Sequence, residues 1–242
     1  MILLIGAVGF AIGLAAHDLA IQALVDDHPL RPFNGICPAC RSDRGWLRPR
    51  CPRCGRIVGR EALLVVGTTG AAVLFAGTIG LNWALFAYLG FLLLTAALLV
   101  TDIEALRIVD RLNLRGSAAV ALGLAVLSLV DGEGGSLVRA LLGAAVYFAG
   151  SFALWLLVRG RGFGAGDVKL APQLGMFTVY VSWGTLGWAV FATALLGGIL
   201  ALLMVAVGRA GMKTELPYGP PMILGAWVAI ALAGIDSFPL PS

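Results

Sequence analysis

Eight stretches of this chain are apolar over something close to the length a helix needs to cross a bilayer, roughly 20 residues. They run near Ile2–Leu24, Ala62–Ile79, Leu81–Thr101, Gly116–Val130, Leu137–Val158, Ala171–Gly184, Leu186–Gly208 and Tyr218–Ala233. Gly116–Val130 and Ala171–Gly184 are short, and need neighbouring residues to extend them. Backbone amides in lipid must be satisfied within the protein, and a helix does this within one segment. The expectation is therefore an all-α polytopic membrane protein of about eight transmembrane helices. Composition excludes the soluble alternative: 12% of the 242 residues are charged, against about 25% in an average soluble domain. The first stretch lacks the basic n-region of a signal peptide and carries His17 and Asp18, so it is expected to stay in the mature chain as a helix.

Lys and Arg positions set the orientation. The segments 25–60, 102–115, 159–170 and 209–217 hold sixteen of the 17 basic residues, and Arg139 is the exception. These alternate loops share one side, as a serpentine chain requires. They are expected to face the cytoplasm, with both termini outside, in the inner membrane of a cell. Topology then accounts for the net charge of +4, and no nucleic-acid partner is implied.

The 25–60 loop contains all four cysteines, as Cys37-Pro-Ala-Cys40 and Cys51-Pro-Arg-Cys54. Two CxxC turns present four thiolates to one tetrahedral ion, the ligand set of a closed structural zinc site. Two disulfides and a redox pair are the other readings. The first is disfavoured in a reducing cytoplasm, and the second by the duplication. A zinc ion would also supply folding energy to a loop too small for its own core. The expected organisation is a first transmembrane helix (1–24), a zinc-binding cytoplasmic loop (25–60) and a membrane-embedded catalytic domain (61–242). Eight arginines in the loop serve orientation, or contact anionic headgroups or a partner.

Ionisable residues at the bilayer call for a functional reason. Asp102 closes the third stretch. Asp167 lies in the glycine run Gly162-Phe163-Gly164-Ala165-Gly166-Asp167-Val168-Lys169-Leu170, and Pro217-Tyr218-Gly219-Pro220 opens the eighth stretch. A phosphate-binding loop does not fit the glycine run, since no strand precedes it and no GK[ST] follows. Glycines beside Asp167 would instead leave room for another backbone, as an extended peptide substrate needs. On one membrane face Asp102 and Asp167 can form a two-carboxylate site, one proton shared between them. The carboxylate activates water while the carboxylic acid polarises a carbonyl. The plainer reading pairs Asp102 with Arg107 and Asp167 with Lys169 as interfacial ion pairs.

The block Gly164-x-Gly166-Asp167-x-Lys169-Leu170 resembles the GxGDxKL signature of type IV prepilin peptidases, the intramembrane aspartyl proteases. Asp102, followed by Asp110 and Leu112, is similar to that family's other aspartate block. Pro217, Tyr218, Gly219 and Pro220 match a third, and the CxxC pairs and Glu61 occur in matching order. The resemblance implies catalytic roles for Asp102 and Asp167, motif roles for Gly164, Gly166 and Lys169, and metal binding by Cys37, Cys40, Cys51 and Cys54. It implies an endopeptidase that removes a short basic leader from a prepilin or pseudopilin at the cytoplasmic face of the bilayer. It further implies S-adenosylmethionine as cofactor if the new terminus is also N-methylated.

Three departures bear on these expectations. Val109 stands where the family usually has Pro, the loop between the CxxC pairs is ten residues, and Gly13–Asp18 replaces an Asn-containing block. The last two count against methylation. His17 is expected to cap a helix end rather than face the aspartates or a cofactor, and His28 is not needed by a four-cysteine site. The tryptophans, mostly near the ends of the stretches, are expected in the interfacial belt. The competing class is a non-enzymatic membrane transporter or assembly scaffold with a zinc-braced cytoplasmic loop. Oligomeric state and the identity of the prepilin are not legible in the sequence.

Overall fold

In a computed structural model of the chain, residues 1–24, 40, 42, 51–54, 60–105, 108–158, 163–206 and 218–233 are described, apart from the side chains of residues 60 and 61. Expectations that fall on Cys37, Arg107, Gly162, Pro217 and His28 lie outside the described residues, as does the Glu61 side chain.

Eight helices make up the described fold: α1 (Ile2–Leu24), α2 (Arg60–Ile79), α3 (Ala84–Ala105), α4 (Asp110–Val130), α5 (Gly134–Val158), α6 (Ala165–Val181), α7 (Trp183–Ala206) and α8 (Gly219–Ala233). Six are long and apolar enough to cross a membrane, namely α1 to α5 and α7. The remaining two, α6 with 17 residues and α8 with 15, are shorter, and most of their residues are buried. The protein is a multi-pass membrane protein.

The helices begin and end close to the apolar stretches, with two informative differences. Helix α4 starts at Asp110 rather than near Gly116, and α6 starts at Ala165 rather than Ala171. In both, the first turns are polar: Asp110, Arg111, Asn113 and Arg115 in α4, Asp167 and Lys169 in α6. Hydropathy reads such turns as loop. An acid in the first turn nevertheless favours a helix, because it faces the positive end of the helix dipole.

Helix α3 runs through the middle of the bundle, against α1, α2, α4 and α8, and α6 lies across α5, α7 and α8. Between lipid-bathed helices the hydrophobic effect supplies little, so close van der Waals contact and buried hydrogen bonds do the work. An aromatic stack joins α3 to α6: Phe91 lies flat on Phe177 at 4.4 Å, and Tyr88 meets the same ring edge-on at 5.1 Å. The Tyr88 hydroxyl donates to the Phe177 carbonyl at 2.6 Å, and Trp227 Nε1 of α8 donates to Thr95 Oγ1 of α3 at 3.0 Å. Where α5 crosses α6, Gly143 and Gly175 let the backbones touch: a Cβ at 143 would sit 2.7 Å from the Gly175 carbonyl oxygen.

Two charged residues at the far end of the bundle have structural work. The Asp131 carboxylate accepts the Ala84 N–H at 3.1 Å and so caps α3. Arg139, the one basic residue outside the four basic segments, reaches from α5 to the C-terminal carbonyls of α6. Its Nε donates to Val179 at 3.0 Å, and its Nη2 to Tyr180 at 2.7 Å and Val181 at 3.4 Å. The exception to the charge pattern is thus a helix cap.

Candidate active site

Asp102 lies in the last turn of α3, Asp167 sits in the first turn of α6, and Gly219 is the first residue of α8. The fold brings these three ends together. Both aspartates are buried, each 6% exposed. A Cβ built on Gly219 would lie 2.6 Å from Asp102 Oδ2 and 3.6 Å from Asp167 Oδ1. The two carboxylate oxygens are therefore no further apart than the sum of those distances, both close to the Gly219 backbone. Asp102 Oδ2 has no hydrogen-bond partner among the described residues. An orphaned carboxylate oxygen in a buried setting is costly unless something else occupies its lone pairs, such as a shared proton, a water or a substrate.

Asp167 is oriented from below. Gly164, in extended conformation, is the N-cap of α6, and its N–H donates to Asp167 Oδ2 at 2.9 Å. That bond engages Oδ2 and leaves Oδ1 towards Gly219. The space beside Gly166 is taken by the chain itself: an added Cβ would meet the Ile108 side chain at 3.2 Å. The room for a second backbone, sought beside the motif glycines, is thus filled by Ile108 at Gly166, and the glycine directly at the carboxylates is Gly219.

The ion pairs of the plainer reading do not form as expected for Asp167. Lys169 Nζ instead contacts both oxygens of Asp110, at 2.8 Å each, which leaves Asp167 to the Gly164 amide. Val109 adopts φ −76° at the N-cap of α4, a value proline itself would hold, so the departure from the family's Pro preserves the turn. Tyr218 packs edge-on against Phe163 at 5.4 Å, Pro220 is buried, and Tyr218 approaches Gly197 of α7. Tyr147 of α5, which no sequence pattern singled out, interacts electrostatically with both Asp167 and Tyr218 and hydrogen-bonds Thr193. Only its position on a helix facing the site reveals it.

The cysteine module also assembles, as far as it is described. The Sγ atoms of Cys40, Cys51 and Cys54 all lie within 4.8 Å of one another, with those of Cys40 and Cys51 3.5 Å apart. Thiolates bound tetrahedrally to zinc at about 2.3 Å stand about 3.8 Å apart, so the donor set fits a metal ion. Ser42, missed by the spacing argument, places its Oγ 3.0 Å from Cys40 Sγ. Hydrogen bonds from the Cys54 backbone and then the Ser42 hydroxyl draw the Cys51 thiol down to about 5, which favours the thiolate, the form able to ligate a metal ion, at neutral pH.

The family model of the type IV leader peptidase family matches residues 86–202, a span that includes Asp102 and Asp167. The chain is similar to the prepilin leader peptidase/N-methyltransferase of Stutzerimonas stutzeri, 31% identical over 216 residues, covering 80% of this chain and 70% of that protein. It is 26% identical to the protein of the same name from Aeromonas salmonicida (strain A449) over 189 residues, covering 76% and 62%. With that of Myxococcus xanthus (strain DK1622) it shares 29% over 227 residues, covering 86% and 64%. The chain thus spans less than two thirds of the length of the Aeromonas and Myxococcus relatives. No solved structure matches it. On its match to the Stutzerimonas protein, together with the family span around both aspartates, the chain belongs to the type IV leader peptidase family.

Proposed function

We propose that this protein is an intramembrane aspartic endopeptidase that removes the short basic leader of type IV prepilin-like proteins, prepilins or pseudopilins, at the cytoplasmic face of the inner membrane. The observation that carries the reading is the convergence of Asp102 and Asp167 on Gly219, with Asp102 Oδ2 buried and unpartnered. One carboxylate takes a proton from water as it attacks the scissile carbonyl. The other, protonated, hydrogen-bonds the carbonyl oxygen as negative charge develops on it. Collapse of the tetrahedral intermediate returns a proton to the leaving amine. The site lies at the end of the bundle that bears the basic segments. A hydrophobic pilin helix in the bilayer with its leader in the cytoplasm would present its boundary at this depth.

In this reading residues 1–24 and 61–242 form the membrane part, and residues 25–60 a cytoplasmic loop. Cys40, Cys51 and Cys54, with Cys37 from outside the described residues, would hold a structural zinc ion whose four thiolate ligands leave no open catalytic position. Gly164, Gly166, Lys169, Tyr218, Gly219 and Pro220 shape the surroundings of the aspartates, with Pro217 at the entry to α8. The relatives' names add an N-methyltransferase activity. Methylation of the new terminus would draw on S-adenosylmethionine, and we assign no described residue to that cofactor. Membership of a peptidase family weighs against a transporter or scaffold.

Co-expression with a tagged prepilin tests the proposal. The parent chain should shorten the substrate by its leader, and Asp102→Asn and Asp167→Asn should each abolish shortening. Full processing by both variants would overturn the mechanism. The mass of the processed terminus decides methylation, by the presence or absence of one methyl group.

A further inference from the structure

A second polar cluster lies between α4 and α6, and the carboxylate chemistry does not use it. Asn113 of α4 is fully buried and Gln173 of α6 nearly so. Gln173 Nε2 donates to Asn113 Oδ1 at 3.0 Å, and the Ser117 hydroxyl donates to Gln173 Oε1 at 3.0 Å. With its oxygen engaged by Gln173, Asn113 turns its Nδ2 to the backbone and donates to the Lys169 carbonyl at 3.2 Å. Each amide thus has its orientation set by the other, as a linked network requires.

The carbonyl that Asn113 takes belongs to the turn that carries Asp167. That turn is weakened from within. Pro172 lies inside α6 and has no N–H for the Val168 carbonyl, so the helix lacks a rung just past Asp167. The bond from Asn113 supplies the same turn with a donor from outside. The Lys169–Asp110 ion pair spans the same two helices at the exposed end, with both side chains about half exposed, where such pairs contribute little.

We infer that Asn113 and Gln173 are positioning residues, which through the Asn113–Lys169 carbonyl bond fix the proline-interrupted first turns of α6 against α4 and hold Asp167 opposite Asp102. The inference deepens the proposed peptidase reading and rests on it for its kinetic arm. Ordinary interhelical adhesion would add stability alone. A positioning role moves the chemical step, because a misplacement of about 1 Å costs on the order of a hundredfold in rate.

The test uses the full chain in membranes with two near-isosteric variants, Asn113→Leu and Gln173→Met. Each should lower kcat for prepilin processing about 10- to 100-fold per folded molecule, with KM changed less than about threefold. The double variant should fall no further than the worse single one, since both act through one bond. Unchanged kcat per folded molecule, with only a lowered melting temperature, would overturn the inference. An arm independent of activity places cysteines at Asp102→Cys and Asp167→Cys and measures their bridging by a short bis-maleimide, read as the linked peptide by mass spectrometry. Adding Asn113→Leu should cut the yield several-fold, and an unchanged yield would overturn the inference. If the parent chain leaves prepilin uncut while bridging still depends on Asn113, the peptidase reading fails and the positioning role stands.

Discussion

Gly219→Ala is a small substitution placed where it should matter most. Its methyl group would sit 2.6 Å from Asp102 Oδ2, 3.2 Å from Asp102 Cγ and 3.6 Å from Asp167 Oδ1. The first contact is short of ordinary carbon–oxygen contact by roughly three quarters of an ångström, so the carboxylate or the start of α8 must shift by about that much. Asp102 Oδ2 is the softer point, because no hydrogen bond holds that oxygen, although the Gly219 backbone bonds the carboxyl group as a whole. A displacement of that size in a catalytic group costs on the order of a hundredfold in rate, about 2.7 kcal/mol of transition-state stabilisation. Overpacking adds about 1–3 kcal/mol of destabilisation. The assay is the initial rate of leader removal from a tagged prepilin in membranes, normalised to folded protein. Gly187→Ala serves as the control, since a Cβ there meets nothing within 4 Å. The control should process at the parent rate. A Gly219→Ala rate within about twofold of the parent would refute the claim that this backbone abuts the reacting carboxylates.

Three further outcomes follow from other parts of the structure. Arg139→Ala removes the donors to three carbonyls at the C-terminus of α6 and should lower stability by about 1–3 kcal/mol, seen as a lower melting temperature in detergent with little change in rate per folded molecule. Lys169→Met breaks a half-exposed ion pair and should cost under about 1 kcal/mol in the same unfolding measurement. The Cys51 thiol, drawn down to about 5, contributes as a thiolate ligand above the ordinary thiol range and loses that contribution as pH falls through its lowered value. Bound zinc, measured by elemental analysis after dialysis, should be retained near neutral pH and released below about pH 5. Cys51→Ser should remove most of it at neutral pH.

The membrane architecture was legible because lipid imposes one rule on every residue of a span, so apolar run length alone located the helices. The bounds of α1 came out as expected for this reason. The starts of α4 and α6 did not, since their first turns are polar, and Pro172 disguises α6 further. Asp102 and Asp167 stood out as charges that lipid should exclude. Asn113 and Gln173 did not, because neutral amides sixty residues apart become a pair only once two helices are laid side by side. Gly219 was recognisable as part of a block, but its place beside both carboxylates depends on the register of α8 against α3 and α6. Arg139 stood out only as an exception to the charge pattern, and the carbonyls at the open end of α6 supply its reason.

The two shortest helices carry a consequence for the lipid around them. At 1.5 Å per residue, α6 rises about 26 Å and the described part of α8 about 23 Å, and α6 is thus shorter than the roughly 30 Å of a typical hydrocarbon layer. Each begins at the carboxylates, one with Asp167 in its first turn and the other with Gly219. Most of both helices is buried in the bundle, but lipid that reaches their exposed faces can meet the shorter length by thinning locally or by admitting water from one leaflet. The proposed hydrolysis needs a water molecule at a buried pair of acids, and a local dip in the membrane would be a route by which it arrives. Acyl-chain length in a reconstituted bilayer would thereby become a variable of the proposed reaction.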